Sequence, residues 1–164
     1  MLNAKLEGTL NDHLHSELYS AHLYLSMTAY FESENLGGFA HWMRVQYREE
    51  LSHAMRLFDY INDRNGRVVV QAIEQPPTEF ASAQAAMEKT LEHEREVTAM
   101  FANLYREAQA QNDYATHVML EWFIEEQVEE EKTAGEIVEK LRRIGDDITG
   151  LLFLDARLAE RTAD

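Results

Sequence analysis

The sequence predicts an all-α protein: a four-helix bundle with one long crossover connection and a short fifth helix at the C-terminal end. Three observations carry this. Apolar residues recur at helical spacing through four long stretches. The first and third joints are tight, so the stretches pair as two antiparallel hairpins, whereas the middle connection runs about 16 residues. The only two prolines, Pro76 and Pro77, fall inside that connection.

The first helix is expected over about 4–35, with Leu6, Leu10, Leu14, Leu18, Ala21, Leu25 and Thr28 in phase and an end before Gly37-Gly38. The second, about 38–65, carries Met43, Tyr47, Leu51, Leu57 and Ile61 and stops at Gly66. Residues 66–81 break the period. Val68 to Val70 is extended in character, and the two prolines forbid helix. Ser82 is a good N-cap for a third helix, about 82–110, with Ala86, Thr90, Val97, Phe101 and Leu104. Asn112-Asp113 can cap a fourth, about 113–143, with Val118, Leu120, Ile124, Val128, Ile137, Val138 and Leu141. Beyond Gly145, the apolar run Leu151 to Leu154 lies in a short helix over about 148–159. The glycines (8, 37, 38, 66, 135, 145 and 150) are expected mostly at positions that end helices. The whole, 1–164, reads as a single domain. The middle connection is long enough to travel the length of the bundle and enter the second hairpin from its far end.

Composition narrows the function. Thirty acidic residues against fifteen basic ones leave a formal charge of −15. Such a surface repels nucleic acid and anionic lipid and attracts cations. No apolar run approaches the roughly 20 residues needed to cross a bilayer, so no membrane partner is expected. The absence of cysteine excludes disulfides, zinc–thiolate sites and iron–sulfur clusters. Residues 1–7 lack an apolar signal region, so no export signal is expected and the cytoplasm is the expected compartment.

Some carboxylates fall where solvation does not account for them. Glu17 shares the apolar face of Leu14, Ala21 and Tyr24. Glu50 and His53 are neighbours at i,i+3, and Leu57 continues their face. Glu94 lies between Thr90 and Val97, and Gln127 and Glu130 form another i,i+3 pair between Ile124 and Ala134. Each helix thus carries a polar residue on its buried stripe near mid-length. At about 1.5 Å rise per residue, Glu17 and His53 both lie roughly 22–26 Å from the first joint, and the same count sets Glu94 level with Gln127 and Glu130. The hairpins also match at an offset of 77 residues, Glu17 on Glu94, Tyr24 on Phe101, Glu50 on Gln127 and His53 on Glu130. No lysine or arginine occupies the matching positions. Converging buried carboxylates need protons or a cation, so a two-metal site is expected. Oxygen- and nitrogen-rich ligation suits iron or manganese, and zinc as well. Dinuclear bundle sites place a Glu on each of two helices and Glu-x-x-His on each of the others. Here the last becomes Gln127-x-x-Glu130, so the second metal is expected to be held more weakly.

The blocks Glu17-Leu18-Tyr19-Ser20 with Tyr24, Glu49 to Ala54, and Glu125 to Lys132 closely resemble the non-haem bacterial and archaeal ferritins, along essentially the whole chain. The resemblance implies a ferritin-like bundle whose Glu17, Glu50 and His53 hold a first iron, with Glu50 bridging and Glu94 and Glu130 serving a second. It places Gln127 beside the site and Tyr24 within hydrogen-bond reach, as a potential electron donor. Glu49, Glu126, Glu129 and Glu130 resemble a third iron site. The implied function is iron storage with ferroxidase activity. Two ferrous ions are oxidised by O2 or H2O2, and ferric oxyhydroxide is deposited inside a homo-oligomeric shell of twenty-four subunits. Bacterioferritin is the nearest alternative, but it has a second Glu-x-x-His and a haem-ligating methionine between the second-helix Glu and His. Here that interval is Leu51-Ser52, so no haem is expected. A rubredoxin-bearing peroxidase would need cysteines. A shell that binds iron without oxidising it is disfavoured, because every ligand position is filled. His13, His15, His22, His41, His93 and His117 are expected to serve packing or surface roles, with His93 the one adjacent to a ligand position.

Overall fold

A computed structural model describes residues 2–162. Five helices follow in order: α1 (Ala4–Ser33), α2 (Gly37–Asp63), α3 (Ala83–Ala110), α4 (Tyr114–Ile144) and α5 (Ile148–Leu158). Their ends fall within two residues of the expected ones.

Side-chain oxygens close four of the five helix N-termini. Asn3 accepts from Lys5 N–H, Ser82 from Ala85, Asp113 from Thr116 and Asp147 from Thr149, each satisfying an amide with no partner inside its helix. The stops differ in part from expectation: Gly145 does end α4, with φ 56°. Gly8 and Gly135 lie within helices, Gly150 lies in α5, and Gly37-Gly38 opens α2. Asparagine ends the first three helices instead: Asn35, Asn65 and Asn112 take φ of 59°, 55° and 54°. After each, the next amide reaches back to close the final turn, Leu36 to Phe31 O (3.0 Å), Gly66 to Ile61 O (2.9 Å) and Asp113 to Ala108 O (3.0 Å). Asparagine tolerates this left-handed conformation better than other residues with a side chain.

The crossover runs alongside α1. Asn11 donates to Arg67 O (3.0 Å) and accepts from Val69 N–H (2.7 Å). Further along, Ser26 donates to Pro77 O (2.6 Å) and the Phe80 ring meets Tyr30 at 5.2 Å. From residue 11 to residue 30 the connection therefore covers roughly 28 Å of α1. It delivers α3 antiparallel to α1, as the facing pairs Thr9–Glu107, Ser20–His93 and Met27–Thr90 record.

Two apolar clusters fill the bundle. One contains Leu23, Met27, Phe31, Phe39, Met43, Met87 and Val138, with Phe31 stacked on Phe39 at 5.0 Å. The other contains Leu6, Leu10, Leu14, Leu57, Ile61, Leu104 and Leu120, with Phe101 stacked on Phe123 at 4.6 Å. Between them lies a layer of buried polar side chains. Three residues assigned to the periodic apolar stripes are exposed: Leu25 (44%), Val118 (65%) and Val128 (69%). Among the described residues no helix is long and apolar enough to cross a membrane.

His13 is buried against Phe101, ring centroids 4.6 Å apart, and its Nδ1 has no partner. Burial lowers its pKa to about 4, outweighing the pull of Asp12. As pH falls through 6.5 the unfolded chain takes up this proton before the folded one. The contribution to stability is therefore complete above 6.5 and lost as pH drops toward 4. Urea titrations should show the wild type losing about 3 kcal/mol more than His13→Leu over that interval. Parallel pH profiles would contradict this.

Candidate metal centre

The polar layer draws one or two side chains from each of the four long helices. Glu17 comes from α1, Glu50 and His53 from α2, Glu94 from α3, and Gln127 and Glu130 from α4, none more than 4% exposed. The antiparallel hairpins bring these mid-helix positions to one level.

Glu17, Glu50 and His53 form the tightest group, with one ligand atom from each lying within 4.8 Å of the others. His53 Nδ1 is 3.3 Å from Glu17 Oε2 and 3.5 Å from Glu50 Oε2. The imidazole is held edge-on by Trp122 (5.2 Å) and Phe123 (6.2 Å). Glu94 and Glu130 stand outside this group, each tied by hydrogen bonds. Tyr24, fully buried, donates to Glu94 through its hydroxyl. Gln127 Nε2 donates to Glu94 Oε2 (3.1 Å). Glu130 accepts from Gln46 Nε2 at 2.7 Å.

The electrostatics are those of an overcrowded anionic pocket. Burial, then Glu17, pushes the Glu50 carboxyl up to about 8. Burial, then Glu50, pushes Glu94 up to about 8. Glu130 is raised by burial and by Glu94 and Glu50. Burial works to lower His53, but hydrogen bonds to Glu17 and Glu50 prevail and raise it to about 11. The Tyr24 phenol is raised by burial and by Glu94. A Glu17 oxygen is buried with no partner. Carboxylates this close require protons or a multivalent cation between them. The donor set, carboxylate oxygen with one imidazole, is that of a hard or borderline metal.

Glu49, Glu126, Glu129 and Glu130 line a second, more open acidic pocket of about 320 Å³, together with Glu160 and Arg161. Glu130 thus belongs to both the inner layer and this outer cluster.

Residues 7–144 match the family model described as the ferritin-like domain. The chain belongs to the ferritin family. Among its ferritin relatives, the bacterial non-heme ferritin of Bacteroides fragilis is 42% identical over 161 residues, covering 98% of this chain and all of that one. That of Staphylococcus epidermidis is 40% identical over 162 residues, covering 99% and 98%. The open-pore ferritin of the archaeon Archaeoglobus fulgidus superposes with a TM-score of 0.98 at 49% identity, covering 99% of this chain and all of that one.

Two residues at this ferritin's site escaped the sequence reading. Gln46 is wholly buried with an unpartnered Oε1. It lies four residues before Glu50 on the same stripe, so helical phase could have found it. Arg161 follows α5, and no local pattern marks it. His93 is also buried, and its Nε2 bonds Ser20 Oγ at 2.7 Å.

Proposed function

We propose that the chain stores iron. Glu17, Glu50 and His53 would bind one ferrous ion, and Glu94 and Glu130 a second, with Glu50 between them. O2 accepts one electron from each ion and two protons from solvent to give H2O2, or H2O2 accepts the two electrons and two protons to give two waters. The ferric product then passes to mineral inside a shell of twenty-four copies. The observation that carries this reading is the convergence of Glu17, Glu50 and His53 beside two further buried carboxylates, all on mid-helix positions. The names of the relatives and the fold likeness support the same family chemistry.

Each side chain has a task. The carboxylates neutralise the cations and keep charge change local as electrons leave. Gln127 and Tyr24 orient Glu94, and the Tyr24 hydroxyl stands where it can supply an electron. Gln46 orients Glu130. Gln127 in place of a carboxylate and Glu130 in place of an imidazole leave the second position's formal charge unchanged but cost it one shared carboxylate and its nitrogen donor. We infer weaker retention there and easier onward passage toward Glu49, Glu126 and Glu129. Exposed Leu25, Met55, Val69, Val70, Tyr114, Ile148, Leu152 and Phe153 supply apolar surface for contacts between copies.

The test is aerobic addition of ferrous iron to the purified protein. The expected result is a ferric absorbance rise much faster than in protein-free buffer, with two ions consumed per chain in the first phase. A rate equal to buffer would overturn the ferroxidase reading, and elution from a sizing column as a monomer would overturn the shell.

Metal entry should also displace protons. Below about pH 8, Glu50, Glu94 and His53 hold protons in the metal-free site. Calorimetry at pH 7 in buffers of different ionisation enthalpy should therefore report release of at least about one proton per chain, and apparent affinity should strengthen toward pH 8. Binding without proton release would contradict the protonation pattern.

A further inference from the structure

The outer acidic pocket already faces a cation from the chain itself. Arg161 Nη2 lies 2.7 Å from Glu49 Oε2, in a pair whose side chains are 22% and 17% exposed. The guanidinium also rests over the Trp42 ring, 4.7 Å from its centroid. Its backbone is fixed too, because His41 Nε2 bonds Arg161 O at 2.7 Å. The approach to this position is anchored by α5, where Asp155 Oδ1 accepts from Phe39 N–H at 2.9 Å.

We propose that Arg161 is a tethered counter-cation for the outer cluster, occupying the charge position beside Glu49 that an incoming metal must take over. This deepens the proposed function and rests on its reading of Glu49, Glu126 and Glu129 as the position to which metal passes from the inner layer. Two observations beyond the cluster of acids support it. One is the guanidinium itself, which belongs to a residue lining the pocket and whose Nη1 is buried without a partner. The other is fully buried Gln46, whose amide nitrogen holds Glu130 while its Oε1 has no partner. Glu130, held by Gln46, lines the same pocket as Arg161. An arginine cannot shed its proton to make way, so it yields only by swinging aside. The tether therefore weakens binding at the outer cluster without abolishing it. It keeps that position a place of passage and not a trap.

The experiment uses Zn2+, which is redox-silent, on the full-length metal-free protein. Calorimetric titration should show two equivalents per chain at the inner layer, the second weaker than the first, and a third weaker still. In Arg161→Gln the third should tighten by about tenfold, whereas Arg161→Lys should stay near the wild type. The third equivalent should vanish in the Glu126→Gln/Glu129→Gln double variant. In the wild type, its binding should alter tryptophan emission as the guanidinium leaves Trp42, and Trp42→Phe should lose that signal while keeping the stoichiometry. A chain ending at Glu160 should behave as Arg161→Gln, which guards against misfolding of a single variant. A third affinity unchanged or weakened without Arg161, or a third equivalent that survives loss of Glu126 and Glu129, overturns the proposal. Absence of the two inner equivalents would instead count against the dinuclear reading and leave the comparison at the outer cluster valid.

Discussion

Glu50→Ala is expected to slow aerobic oxidation of ferrous iron by at least about 100-fold, the scale on which loss of a group acting directly on the reacting centre is felt. Glu50 stands centrally among the charges of the polar layer. It lies 3.5 Å from His53 Nδ1, and its charge is felt at Glu94, Glu130 and Tyr24. On the proposed reading, removing it would separate the two metal positions and eliminate the carboxylate able to touch both. The apoprotein itself should not suffer, because a buried carboxyl crowded by Glu17 and Glu94 is a source of repulsion. Its melting temperature without metal should hold or rise, while the stabilisation gained on adding metal should shrink. Stopped-flow ferric absorbance with parallel calorimetry reads both quantities. Oxidation at the wild-type rate in Glu50→Ala would remove the catalytic role.

Gly38→Ala should release α5 from the bundle. A Cβ at Gly38 would lie 1.7 Å from the Asp155 carbonyl oxygen and 2.5 Å from its carbon. Both are backbone atoms of another helix, so no side-chain rotation relieves the clash. The helices must part, which breaks the Phe39–Asp155 hydrogen bond, uncovers Leu154 and draws Arg161 away from Glu49. The expected cost is about 3 kcal/mol or more, near the upper end for overpacking, with fast amide exchange throughout α5. Gly37→Ala is the control. Nothing lies within 4 Å of the Cβ it would gain, and alanine suits a helix better than glycine, so stability should move by no more than about 1 kcal/mol. Equal behaviour of the two variants would show that the close approach is not maintained in solution.

These residues also mark how far the sequence could be read. Helical phase with a polar residue on an apolar stripe was enough to place Glu17, Glu50, His53, Glu94, Gln127 and Glu130 inside the bundle, because burial follows from phase. Phase failed for Leu25, Val118 and Val128, since an apolar residue kept for another surface looks the same as one kept for the core. Glycine misled at the first three helix stops, where asparagine carries the left-handed turn, whereas Gly145 does end α4. Arg161 was invisible, because its meaning depends on α5 folding back over α2, and no local pattern encodes that return.

The polar layer leaves the bundle with two hydrophobic cores instead of one. With the layer empty, Leu6 to Leu14 with Leu57 and Ile61 at one end, and Phe31, Phe39 and Met43 at the other, are joined mainly by the helices themselves. Buried carboxyl groups between them, too crowded to ionise together, add little cohesion. A cation gripping α1, α2 and α3 at the waist would act as a rivet, making the two ends open and close as one cooperative unit. Cargo would thereby set the protein's own folding cooperativity, and the loading state of each subunit would be readable in how evenly its two ends resist hydrogen exchange.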